Sequence, residues 1–130
     1  MARAHGEFRA AEVGEMAGVT GSTVGQWARR GLIRSSQGDG EPRLYGVEDV
    51  AEAAMVRALL AAGARHAEIH RAIARLPGRW PLSHAALAVT PDGRIALREE
   101  DGLLVLGPRG WQASATPPKA REVRLQLAPG

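Results

Sequence analysis

Residues 11–45 read AEVGEMAGVTGSTVGQWARRGLIRSSQGDGEPRLY, and this stretch decides the fold. Val13, Met16 and Ala17 share one side of a helical spacing, which predicts a first helix over residues 10–17. Gly18-Val19-Thr20 predicts a tight turn, because glycine supplies the backbone freedom that a short helix connection needs. A second helix follows over residues 21–30, with Val24 and Trp27 turned inward and Gly31 as its stop. Gly14 and Gly18, four apart, stand where two such helices turn sharply and approach closely. Gly21, Ser22, Thr23 and Gln26 fall on the outward front of the second helix. A short helix with an apolar back and small polar residues in front suits a DNA major groove. Gln26 is the expected base reader, since an amide bonds N6 and N7 of adenine together.

Working outward, Leu32 and Ile33 read as a short strand, residues 35–42 as turn chemistry, and Arg43-Leu44-Tyr45 as the return strand of a two-stranded wing. Arg29, Arg30, Arg34 and Arg43 are close in sequence, diluted only by Asp39 and Glu41. Their planar forks grip phosphate well.

A third helix is predicted from Val47, with Glu48 and Asp49 against the positive end of its dipole and Gly63 beyond its end. Ile69, Ala72, Ile73 and Leu76 recur at i, i+3, i+4 and i+7, which predicts a fourth helix over residues 65–76. Pro77-Gly78-Arg79-Trp80-Pro81 cannot continue it. Beyond, the period changes to two. Residues 85–89 and 94–98 flank the turn Thr90-Pro91-Asp92-Gly93, and residues 103–106 and 123–127 give further apolar or alternating runs. Three or four short strands with one apolar face result. The expected fold is α+β: a tail over 1–8, a four-helix DNA-binding domain over 9–76, a linker over 77–84, and a small antiparallel β domain over 85–127.

The 130 residues carry a net charge of +3, a small excess that permits nucleic acid without demanding it. Cysteine is absent, which removes disulfides, thiolate metal sites and cysteine nucleophiles. The chain has no run long enough to span a membrane and no signal-like apolar start, so a reducing bacterial cytoplasm is the expected location. His66 and His70 are four apart, but Glu68 stands out of place for a zinc-hydrolase helix, and they read as solvated. Glu99-Glu100-Asp101 reads as a solvated acidic turn. No phosphate loop, serine elbow or kinase signature is present. Neither an enzyme, a cofactor nor a metal is expected, and so short a C-terminal region leaves little room for a ligand cavity.

The stretch EVGEMAGVTGSTVGQWARRGLI resembles the first two helices of the MerR family of transcription regulators, and RLYGVEDV resembles the family's wing return and third helix; the likeness covers residues 8–76. It implies a winged helix-turn-helix in which Ser22, Thr23 and Gln26 face the groove, Arg43 holds a phosphate and Tyr45 braces the wing. The chain departs from the family at Gly25, where an arginine is usual, and at Gln26-Trp27, where a tyrosine pair is usual. Pro77 and Gly78 also stop the long dimerising helix that the family continues into. The expected partner is double-stranded DNA, bound by a homodimer whose C-terminal sheet is the dimer or partner surface. Two other expectations keep the same DNA-binding half: an antitoxin that grips a protein partner with its C-terminal segment, and an excisionase-like architectural protein.

Overall fold

The computed structural model describes residues 8–33, 44–76, 82–100, 102–113 and 119–128. They form four helices, α1 (Ala10–Ala17), α2 (Gly21–Arg29), α3 (Val47–Ala61) and α4 (His66–Arg75), then five strands, β1 (Leu87–Val89), β2 (Ile95–Glu99), β3 (Gly102–Gly107), β4 (Gly110–Ala113) and β5 (Arg121–Val123). The fold is α+β, as its periodicities predict. It divides into two compact units, Met1–Arg57 with Leu125–Gly130, and Ala58–Arg124. The sequence segmentation at 76 differs from this division: α4 groups with the sheet, and the last residues group with the first helices.

In the first unit α1 packs on α2. A Cβ on Gly14 would stand 2.5 Å from the Val19 carbonyl oxygen, so only glycine lets the turn fold back on α1. Gly18 ends α1 with φ of 85°, a left-handed cap whose N–H donates to the Gly14 carbonyl. Thr20 opens α2: its Oγ1 accepts from the Thr23 N–H at 3.1 Å and pairs with the Thr23 hydroxyl at 2.8 Å. Val13, Ala17, Val24 and Val56 are fully buried in the apolar interior. Asp49 caps α3, its carboxylate accepting from the Gly46 N–H at 2.9 Å. The Ala128 N–H donates to the Met16 carbonyl at 2.7 Å.

Two local expectations change here, and a third cannot be placed. Leu32 and Ile33 form a buried bend instead of a strand, because both their N–H groups turn back to the Trp27 carbonyl, at 2.8 and 3.4 Å. Phe8, placed in the tail by the sequence, forms an isolated antiparallel bridge with Tyr45, each N–H donating to the other's carbonyl. The predicted turn of the wing, with Arg34 and Arg43, lies outside the described residues.

The second unit is an antiparallel sheet in the order β4-β3-β2-β1-β5. Its register puts Leu87, Val89, Ile95, Leu97 and Trp111 on one face, and Ala88, Ala96, Leu103 and Val105 on the other. Both faces are buried through β1 and the start of β2, where one apolar face was expected; Ala120 packs on the apolar cluster of Ala88, Ala96 and Leu103. The bulky face takes α4. Trp111 Nε1 donates to the Arg75 carbonyl at 2.8 Å, and Arg71 donates to the Gly107 carbonyl while pairing with Glu68 at 2.6 Å.

Two strands depart from the sequence reading. β4, Gly110–Ala113, falls between the predicted runs 103–106 and 123–127, where no strand was expected. The last strand is Arg121–Val123 instead of 123–127, and Leu127 is left exposed. Leu82, expected in a linker, is buried in a 3-10 turn, Leu82–His84.

Candidate nucleic-acid interface

The surface of α2 follows from its spacing. Val24 and Trp27 are buried, with Trp27 5% exposed, so the opposite side of the helix faces out. Ser22, Gly25, Gln26 and Arg29 recur at i, i+3, i+4 and i+7 and make a single outward stripe. Ser22, Gln26 and Arg29 are exposed on it. Thr23 and Arg30 flank this stripe. Arg30 is exposed, while Thr23 is half-buried and its hydroxyl is engaged with Thr20. Thr23 therefore serves the helix start before it can serve a groove.

Tyr45 stands apart from these residues. Its side chain is 1% exposed, so it supports the fold from inside and offers no contact surface. Arg34 and Arg43 lie outside the described residues. Of the sequence-predicted residues, the structure thus brings Ser22, Gln26, Arg29 and Arg30 to one exposed helix surface.

Arg57 was missed. It is exposed on α3, and a Cβ on Gly18 would lie 3.0 Å from its Nε and 3.3 Å from its Cδ and Cζ. The end of its side chain therefore lies against Gly18, in the turn that precedes α2. One signal could have found it: Arg57 is the single basic residue in VEDVAEAAMVRALLA. On α1 the exposed acid Glu12 is occupied in accepting from the Arg9 N–H at 2.9 Å.

Among the described residues no group of His, Asp and Glu could hold a metal ion, and His66 and His70 are exposed on α4. No described helix is long and apolar enough to cross a membrane. The second unit has an open depression of about 440 Å³, lined by Ala62, Val89, Thr90, Pro91, Lys119, Ala120 and Arg121. The Thr90 hydroxyl there is already engaged with Asp92 and accepts from the Arg94 N–H at 3.0 Å.

The family model described as MerR HTH family regulatory protein matches residues 8–76. Comparison with curated proteins and with solved structures gives no match.

Proposed function

The chain belongs to the MerR family of helix-turn-helix regulatory proteins, and from that premise we propose that it is a sequence-specific transcription regulator of the bacterial cytoplasm whose α2 enters the major groove. The observation that carries this reading is the two-sided character of α2: Val24 and Trp27 are buried, and Ser22, Gln26 and Arg29 stand opposite them in the open. Gln26 bonds a base edge, and Ser22 keeps the front narrow enough to approach it. Arg30 and Arg57 flank the helix and hold phosphates. Arg34 and Arg43 reach flanking phosphates from the wing.

One such head makes few base contacts, so the working form is a homodimer on an inverted repeat. The sheet is the dimer surface, with β4 and β5 as its edges. The test is the affinity of the intact protein for duplex DNA over a range of salt concentrations. Arg43→Ala flattens the log–log salt slope by roughly one unit while leaving sequence preference in place. An unchanged slope and affinity would remove Arg43 from the interface.

A further inference from the structure

Gly25 sits at the centre of the outward stripe of α2, and it is not an empty place. A Cβ built there would lie 3.4 Å from Arg29 Nη1. The reason is general: a helical side chain leans back over the turn before its own Cα, so position 29 covers position 25. Any residue larger than alanine at 25 would compete with the guanidinium for that space. Among the described residues no ion pair or hydrogen bond takes up this guanidinium, and Arg29 is exposed. Its Nη1 thus lies over Gly25 on the front of the helix, with its donors open to a ligand.

We propose that Arg29 reads a base, seated by Gly25, and that with Gln26 it sets the sequence preference of this protein. The assignment rests on the reading that α2 lies in the major groove. A guanidinium fork there matches the O6 and N7 acceptors of guanine, as the neighbouring amide matches adenine. Two adjacent contacts of opposite preference specify a short mixed step. Arg29 held out at the helix end would touch only phosphate.

Duplexes recovered by the intact protein from a random pool define the preferred sequence. Its single-pair variants are then measured against the wild type and the Arg29→Ala, Gly25→Ala and Gly25→Leu proteins. Arg29→Ala relaxes the preference at one guanine-bearing pair in each half-site by roughly 5- to 150-fold and leaves the other positions as they were. Gly25→Ala makes only an ordinary contact with the fork, so it keeps that preference, and it raises the thermal midpoint because alanine favours helix over glycine. Gly25→Leu also folds, since leucine is a strong helix former, but it fills the seat and relaxes the same pair. Adding Arg29→Ala to it then relaxes that pair no further.

Three results overturn the assignment. One is an Arg29→Ala loss that is equal for all sequences, with a salt slope flatter by about one unit, which marks a phosphate contact. Another is no change at all on Arg29→Ala. The third is losses from Gly25→Leu and Arg29→Ala that simply add at the same pair. A wild type that selects no sequence would overturn this assignment and the groove reading of α2 together.

Discussion

At the scale of single residues, the helix-turn-helix depends on places where there is no side chain. Gly14 has backbone 2.5 Å from where its Cβ would be, and backbone cannot swing aside as a flexible side chain can. Alanine in a helix gains about 1 kcal/mol over glycine, while overpacking costs about 1–3 kcal/mol. Against unyielding backbone the upper part of that range applies, so Gly14→Ala lowers stability. A reduced urea midpoint with an unchanged slope checks it. Asp92 offers a second test. Its carboxyl titrates below the ordinary carboxylate value, first because the Thr90 hydroxyl donates to it, with Arg94 and Arg65 adding smaller attractions. A depressed pKa contributes stability that is present above the unfolded value and is lost as pH falls through the folded one. Thr90→Val returns the Asp92 pKa towards its ordinary value, which carboxyl NMR titration reads directly. A Thr90→Val protein whose Asp92 titrates as in the wild type would refute that cause.

At the scale of elements, the helices were legible and the sheet was only partly so. α1 has the bounds that its apolar spacing predicts, and α2 ends one residue short of its predicted last residue, Arg30. Each has local punctuation: Gly18 closes one, and Thr20 opens the other. β1 and β2 share such a signal in the turn Thr90-Pro91-Asp92-Gly93, but β4 and β5 were not marked in this way. β4 is GWQA, four residues between a glycine turn and residues 114–118, and its strand character comes from pairing with β3 and from Trp111 meeting α4. β5 exists because it pairs with β1, at the far edge of the sheet from β4. Alternation in residues 123–127 had suggested a strand there, but pairing is long-range and periodicity is not. Of the interface, the front of α2 was legible from Val24 and Trp27, whereas Arg57 was not, since only the tertiary fold brings α3 beside Gly18. The α4–sheet junction gives the prediction at this scale. Trp111→Phe keeps an aromatic ring, though a smaller one, and removes the donor to Arg75, one of the carbonyls that a helix end leaves unpaired. It costs about 1 kcal/mol. The cost appears as faster amide exchange in α4, and exchange unchanged there would refute it.

At the scale of the whole molecule, the two units divide the labour of the proposed regulator. The first carries the groove-facing helix, and the second is a five-stranded sheet with helix α4 on one face. A two-fold dimer of such chains presents two α2 helices to one face of the duplex, so the DNA it prefers inherits the symmetry. The central claim is that α2 reads bases, and it is tested most directly by selecting duplexes from a random pool with the intact protein and sequencing what it retains. The account predicts an enriched inverted repeat with half-site centres about 10 base pairs apart or a multiple of that, with Gln26→Ala relaxing an adenine-bearing pair in each half. Retention of all sequences alike, or a preferred site that Gln26→Ala leaves unchanged at every position, would contradict it.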